Sequence, residues 1–103
     1  MNDEPSASIS TVIESELTDV LQALGDPVRL AIVRELAASE PEPRACGTFQ
    51  LGVSNSTLTH HFKVLREAGV IETRPAGHLR LNRLRRDELD ERFPGLLASV
   101  LRG

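Results

Sequence analysis

The sequence predicts a mostly helical fold with one small β-hairpin, and two adjacent patterns lead to that prediction. Between Ser54 and Gly69, apolar residues recur every three or four positions, which is the spacing of an α-helix with one buried face. Directly after Gly69, two short runs flank a turn that contains proline and glycine, which is typical of a β-hairpin. A helix-turn-helix followed at once by such a hairpin is a winged helix-turn-helix, here with about five helices and a two-stranded wing.

The helix that begins after Ser54 has one apolar face and one polar face. Ser54 is a natural N-cap, because its hydroxyl can accept hydrogen bonds from the free amides of the first turn. Leu58, Phe62 and Leu65 form the apolar stripe, and Gly69 can take the left-handed conformation that ends helices. The outward side chains are Asn55, Ser56, Thr59, His60 and Lys63. Such groups bond base edges and phosphates in a DNA groove, although an ordinary capped surface helix uses several of them too.

The predicted hairpin joins the runs Val70–Arg74 and Leu79–Arg83 through a four-residue loop, Pro75–His78. Arg74 and Arg80 lie beside this loop, so the tip of the wing, including His78, is expected to reach phosphates or a minor groove. The alternative is a hairpin that only closes the edge of the core.

Alternation along the second run predicts one apolar face and one polar face of the hairpin. Leu79 and Leu81 alternate with Arg80 and Asn82, and successive side chains of a strand point to opposite faces. We therefore expect an apolar face that carries the two leucines and a polar face that carries Arg80 and Asn82.

The charge distribution supports contact with a polyanion. Residues 1–52 hold three Arg and nine Asp or Glu, a net charge of −6, whereas residues 53–103 hold nine Lys or Arg and six Asp or Glu, a net charge of +3. Between His60 and Arg86 the count is seven basic against two acidic residues. Binding depends on this local field more than on the overall charge of −3. With three Phe and no Trp or Tyr, the chain lacks the rings that single-strand or RNA platforms need, which favours double-stranded DNA.

The remaining segments are predicted from capping residues and apolar spacing. Residues 1–8 are polar and are expected to form a disordered tail before one domain over residues 9–103. The other predicted elements are a first helix from Ile9 to Leu24 that Gly25 ends, a second helix that starts at Asp26-Pro27, a loop at Ser39–Pro43, a short supporting helix at Arg44–Leu51, and a last helical segment, Arg86–Arg102, that Pro94 kinks or restarts.

The first and last helices carry apolar stripes, over Ile9–Leu24 and Leu89–Leu101. Together these stripes exceed what a small three-helix core with a wing can cover, and exposed apolar stripes usually mark a partner surface. A two-fold homodimer through the first and last helices would present two recognition helices to a two-fold operator. The alternative is that both stripes pack on the core of the same monomer.

Two motifs resemble the ArsR/SmtB family of bacterial winged-helix repressors. The first is LGDPVRL at residues 24–30, and the second is VSNSTLTHHFKVLREAGVI at residues 53–71. The resemblance implies a dimeric transcriptional repressor whose recognition helix begins near Ser54 and whose His61 helps to seat that helix on the DNA backbone. The complete set of residues expected to bind DNA is Ser54, Asn55, Ser56, Thr57, Thr59, His60, His61, Lys63, Arg66, Arg74, His78 and Arg80.

The sequence departs from the metal-sensing members of that family. Their Cys-x-Cys element is replaced by Arg44-Ala45-Cys46-Gly47, with one thiol, and the last helix holds no histidine. Neighbouring His60 and His61 point about 100° apart on a helix, so they cannot chelate one ion together. We therefore expect a member that senses no metal and needs no cofactor. Cys46 is the one candidate for a redox response, the alternative being a small packing residue.

An enzyme is not expected. Ser54, Ser56, His60 and His61 have no acidic neighbour before Glu67, and no glycine-rich phosphate loop is present. The alternative function is a winged-helix module for protein–protein contact without DNA binding. The single cysteine and the absence of a bilayer-length apolar run or a signal peptide predict a cytoplasmic protein with no membrane partner.

Overall fold

The computed structural model describes residues 16–103, which form five helices and a three-stranded antiparallel sheet. The predicted tail at residues 1–8 and the start of the first apolar stripe lie outside these residues. Helix α1 is described over residues 16–24, and the later elements are α2 (Pro27–Ser39), β1 (Arg44–Ala45), a 3₁₀ turn (Cys46–Thr48), α3 (Asn55–Glu67), β2 (Ile71–Ala76), β3 (Leu79–Leu84), α4 (Arg86–Arg92) and α5 (Leu96–Arg102). No helix in this part of the chain has the length and apolar character needed to cross a bilayer.

Asp26 separates α1 from α2, as the sequence predicts. Its Oδ1 accepts hydrogen bonds from the backbone N–H groups of Val28 at 2.8 Å and Arg29 at 3.2 Å. The bond from Arg29, followed by that from Val28, holds the pKa of the Asp26 carboxyl below its ordinary value. Pro27 occupies the first helical position, where its missing N–H breaks no helical bond.

Helix α3 has the boundaries and the buried face that the sequence predicts. Ser54 caps it, with Oγ accepting from the backbone N–H of Thr57 at 3.2 Å. Leu58, Phe62 and Leu65 are buried in the core, which also takes three side chains of α2, namely Ile32, Val33 and Leu36. At the other end Gly69 has φ = +81°. The N–H of Val70 bonds the carbonyl of Leu65, and that of Gly69 bonds Arg66, which is the Schellman motif.

The predicted wing is present, but its turn is shorter than expected. Strands β2 and β3 pair up to Ala76 and Leu79, which leaves Gly77 and His78 as a two-residue turn instead of a four-residue loop. Gly77 has φ = +63°, and glycine at the first central position is typical of a tight type II′ turn. Pro75 is accommodated inside β2 because β2 is an edge strand, where a missing donor is tolerated.

The predicted supporting helix at Arg44–Leu51 is wrong. Strand β1 occupies its first two positions and pairs with β3, Arg44 opposite Asn82 and Ala45 opposite Leu81, so only one 3₁₀ turn follows. The Arg44 guanidinium lies 4.1 Å from the centre of the Phe49 ring and bonds the Thr48 carbonyl at 2.8 Å. These contacts fix the loop without a regular helix.

Burial along β3 does not follow the alternation of apolar and polar residues in its sequence. Asn82 and Leu84, which are two positions apart and share one side of the strand, are both buried. Leu79, on the other side, is 45% exposed. Burial of Asn82 is possible because its amide is fully used. Its Oδ1 accepts from Thr73 Oγ1 at 2.7 Å, and its Nδ2 donates to the Arg44 carbonyl at 3.1 Å and to Cys46 Sγ at 3.2 Å.

The C-terminal segment is interrupted at Pro94, as predicted, and divides into α4 and α5. Leu89 and Leu97 are buried in the common core, while four further apolar side chains pack against it and stay half-buried: Phe93, Leu96, Val100 and Leu101. In α1, Val20 and Leu24 are buried, whereas Leu21 is 49% exposed. The described parts of both stripes thus pack largely on their own core and leave a reduced apolar surface.

Candidate nucleic-acid interface

The exposed face of α3 collects the short polar side chains that the sequence singles out. Five residues on its outer side are exposed: Asn55, Ser56, Thr59, His60 and Lys63. Ser54 and Thr57 are exposed too, but the Ser54 hydroxyl donates to Thr57 Oγ1 at 2.9 Å, and both belong to the cap. The cap holds the first turn in place, so the neighbouring donors and acceptors project from a fixed helix end.

His61 differs from the other candidates because it is 9% exposed and lies on the inner side of α3. Its Nδ1 is 3.1 Å from Nη1 of Arg29, which comes from α2. The structure therefore brings His61 to the core and not to the face that carries Asn55 and Thr59. The sequence contains Arg29 in the LGDPVRL motif, but nothing in the spacing of that motif indicates its partner.

The seven Lys and Arg residues between His60 and Arg86 fall into two groups, which differ in whether a carboxylate is paired with them. Three arginines are neutralised by ion pairs: Arg83 with Glu72 at 3.0 Å, Arg85 with Glu88 at 2.5 Å, and Arg86 with Glu40 at 2.7 Å. The Arg85 guanidinium holds the pKa of the Glu88 carboxyl below its ordinary value, first through their hydrogen bond.

The second group comprises Lys63 and Arg66 of α3 and Arg74 and Arg80 of the wing. All four are exposed, and no carboxylate within residues 16–103 lies at ion-pair distance from them. Their charge is therefore available to an external anion. The three paired arginines contribute little to the positive electrostatic potential, because a carboxylate offsets each of them. A count of charges between His60 and Arg86 therefore overestimates the positive surface, because its unpaired cations lie only on α3 and the wing within residues 16–103.

A single groove connects the two elements. A cavity of about 350 Å³ lies between them, lined by Thr59 and Arg66 from α3 and by His78 and Arg80 from the wing. Cys46 of the 3₁₀ turn also lines it. Thr59 and Arg66 of α3 and Arg80 of the wing thus border the same space, which is the arrangement that lets a helix lie in a major groove while a wing touches the adjacent backbone.

Cys46 is half-buried, and its Sγ accepts the bond from Asn82 Nδ2. Within residues 16–103, no three His, Cys, Asp or Glu side chains cluster closely enough to hold a metal ion.

A winged helix-turn-helix with an exposed polar helix and exposed wing cations is typical of DNA-binding transcriptional regulators. Residues 24–74 match a family model described as a helix-turn-helix domain. Over 83 residues the chain is 36% identical to an uncharacterized HTH-type transcriptional regulator, YceK, of Bacillus subtilis strain 168, covering 79% of this chain and 82% of the relative. Over 60 residues it is 37% identical to the biofilm growth-associated repressor of Xylella fastidiosa, covering 58% of this chain and about half, 52%, of that relative.

Solved structures give the same result. An ArsR-like transcriptional regulator from Rhodococcus sp. RHA1 has a TM-score of 0.67 at 26% identity, covering 77% of this chain and 74% of that one. The transcriptional repressor BigR from Xylella fastidiosa has a TM-score of 0.66 at 26% identity and covers 91% of both chains. The protein belongs to the ArsR family of winged helix-turn-helix transcriptional regulators, which confirms the resemblance seen in the two motifs. This family is a class of regulators and not of enzymes.

Proposed function

We propose that this protein is a cytoplasmic homodimeric repressor that places α3 in the major groove of a palindromic operator. The observation that carries the proposal is the groove shared by α3 and the wing, where polar helix side chains and unpaired cations lie together. The repressor named among its relatives supports the direction of regulation. A protein bound across a promoter excludes RNA polymerase without needing further chemistry.

Base edges are assigned to the first turns of α3. Asn55, Ser56, Thr59 and His60 have short polar tips on the exposed side, and such tips hydrogen-bond base edges in a major groove. Ser54 and Thr57 hold the cap, where free amides of a helix N-terminus also favour phosphate. His61 is left out of the direct contacts because its imidazole is buried against Arg29.

Phosphates are assigned to the unpaired cations. Lys63 and Arg66 lie farther along α3, and Arg74 and Arg80 lie on the wing with His78 at its turn. Contacts of this kind set register and orientation and are independent of base sequence.

Dimerisation is assigned to the first and last helices. The exposed Leu21 of α1 and the half-buried Phe93, Leu96 and Val100 near the C-terminus supply apolar surface for a partner copy. Two recognition helices related by a two-fold axis would meet half-sites about one helical turn, near 10 bp, or a multiple of it apart. Sedimentation at micromolar concentration is expected to show a dimer, and a monomer alone would contradict this part of the proposal.

The test is a fluorescence-anisotropy titration on the DNA upstream of the protein's own gene and on a shuffled duplex of the same composition. Affinity for the upstream DNA is expected to exceed that for the shuffled duplex and to fall steeply as salt rises from about 50 to about 200 mM. A protein-interaction module without DNA binding would show neither preference nor salt dependence.

Arg80 and Arg83 provide a matched pair for this titration, since both lie on β3 and, within residues 16–103, only Arg83 is paired with a carboxylate. Replacing Arg80 with alanine is expected to lower the slope of log K against log salt by about 0.9 per phosphate contact, thus about two for a dimer. The Arg83→Ala variant is expected to keep the wild-type slope. Equal slopes in the two variants would remove the wing from the interface.

A further inference from the structure

Arg29 connects three helices through one guanidinium. Its Nε donates to the Ala23 carbonyl at 2.7 Å and its Nη2 donates to the Gln22 carbonyl at 3.2 Å, both at the end of α1. Its Nη1 lies 3.1 Å from Nδ1 of His61 in α3. Carbonyls in the last turn of a helix have no helical partner, so a cation there both bonds them and complements the helix dipole.

The contact between Arg29 and His61 has only one possible hydrogen-bond direction. A guanidinium has five N–H donors and no acceptor, so His61 Nδ1 must accept the bond. This geometry is compatible with an imidazole that carries its proton on Nε2 and is incompatible with a proton on Nδ1. Protonation of Nδ1 would remove the acceptor and place a second positive charge against Arg29.

Other ionisable groups lie near this pair. They are Asp19 of α1, which lines a cavity with Arg29, Asp26 before α2, and His60 and Glu67 of α3. The pKa of Asp26 is lowered first by the N–H of Arg29 and also by the charges of His61 and Arg29, so its carboxylate would attract a protonated imidazole. A protonated His61 therefore faces a repelling Arg29 and an attracting Asp26.

The consequence falls on α3, because His61 lies between His60 and Phe62. His60 is exposed on the face assigned to base edges, and Phe62 is buried in the core. A change of partner at His61 acts on the same helical turn that carries His60 on the exposed side of α3. We propose that Arg29 is a positioning residue that holds α3 to the end of α1 through neutral His61, and that protonation of His61 releases this contact and weakens DNA binding. This inference rests on the proposed function, because the position of α3 matters only if α3 binds DNA.

The sign of the pH effect distinguishes His61 from the other histidines. Protonation of His60, which is exposed on α3, or of His78, which is exposed at the wing turn, adds positive charge near phosphates and strengthens binding. Protonation of His61 acts in the opposite direction. Imidazoles change charge between about pH 5 and pH 8, so a titration across that range samples both effects.

The experiment compares the dissociation constant for the upstream DNA at about pH 8 and about pH 5.5 in wild type and in His61→Asn. Asparagine keeps an acceptor close to the position of Nδ1 but does not titrate. Acidification is expected to weaken the wild-type complex relative to His61→Asn, so that the ratio of the two constants differs between the proteins by at least about threefold. The Arg29→Gln variant, which removes the guanidinium, is expected to follow the His61→Asn profile. His60→Asn is the matched control and is expected to shift the ratio in the opposite direction.

Equal pH ratios in wild type and His61→Asn would overturn the inference. Thermal melts at both pH values separate a lost contact from a lost fold. A long-range ¹⁵N–¹H NMR spectrum of the DNA-free protein tests the contact directly, with a neutral Nε2–H tautomer expected for His61 at about pH 8 and an Nδ1–H tautomer contradicting it. If wild type binds the upstream DNA at neither pH, the proposed function fails, and the NMR tautomer still decides whether the Arg29–His61 contact exists.

Discussion

Helix α3 and the wing border the same groove, but different interactions determine which of their side chains are exposed. In α3, the 3.6-residue period places Leu58, Phe62 and Leu65 in the core and leaves Thr59 outside. In the wing, the exposed side depends on which strands flank β3. Local sequence orients a helix, whereas pairing with distant residues orients this hairpin.

Strand β1 is the distant element that determines the faces of β3. It pairs with β3 through only two residues, Arg44 and Ala45, and it brings the Arg44 carbonyl and Cys46 Sγ to the Asn82 amide. A buried amide needs all of these partners, because an unsatisfied one costs stability. Asn82 and Leu84 therefore point into the core, although Asn82 is polar.

The largest effect is expected from breaking the apolar side of α3. Phe62 is buried, and its ring meets that of Phe49 edge to face at a centroid distance of 5.2 Å. Replacing Phe62 with alanine should lower the free energy of unfolding by about 3–5 kcal/mol, measured by urea denaturation. The neighbouring Lys63→Ala is the control, since Lys63 is exposed and such changes stay within about 0.5 kcal/mol. Similar losses in both variants would contradict the assigned orientation of α3.

Asn82 and Arg80 test how the wing is oriented, because both are polar residues on the same side of β3 but only Asn82 is buried. Asn82→Ala removes three hydrogen bonds from a buried site and should cost about 1–3 kcal/mol of stability. Arg80→Ala changes an exposed side chain and should stay within about 0.5 kcal/mol. Urea denaturation of the two variants distinguishes the cases, and equal small effects would mean that both side chains face water.

The sequence predicts the features of this fold that depend on nearby residues. The Ser54 cap, the α3 stripe, the Asp26 cap and the Gly69 terminus were all predictable, because each depends on residues within one or two turns. The supporting helix and the faces of β3 were not, because both depend on the pairing of β1 with β3.

The candidate site divides in the same way. The exposed polar residues of α3 follow from its period, but the burial of His61 depends on Arg29, which is 32 positions earlier. Likewise, Arg83 is paired because Glu72 lies across the hairpin from it, whereas Arg80 lies opposite Pro75. A residue count cannot separate a free cation from a paired one.

Thr59 tests whether the exposed side of α3 determines base preference. Thr59→Ala should weaken binding to the upstream DNA by about 1–3 kcal/mol and binding to a shuffled duplex by less. Lys63→Ala is the comparison, since loss of a phosphate contact should weaken both complexes alike. Anisotropy titrations at one salt concentration measure all four values. Equal losses on both duplexes after Thr59→Ala would exclude that residue from base contact.

The smallest effect is expected at Cys46, the residue of the 3₁₀ turn whose Sγ accepts a hydrogen bond from Asn82 in β3. Serine keeps an acceptor for Asn82 Nδ2, so Cys46→Ser should change the free energy of unfolding by less than about 1 kcal/mol and leave DNA affinity close to wild type. The predicted redox role requires that Cys46 Sγ also reacts with an oxidant. Peroxide would oxidise the thiolate to a sulfenic acid, forming an S–O bond while the O–O bond breaks and hydroxide leaves, and would add an oxygen beside the buried amide. Peroxide should then weaken DNA binding in wild type and spare Cys46→Ser. If peroxide affects DNA binding equally in the two proteins, or in neither, Cys46 is a packing residue without a redox role. Its Sγ then serves only as one of the hydrogen-bond partners of Asn82.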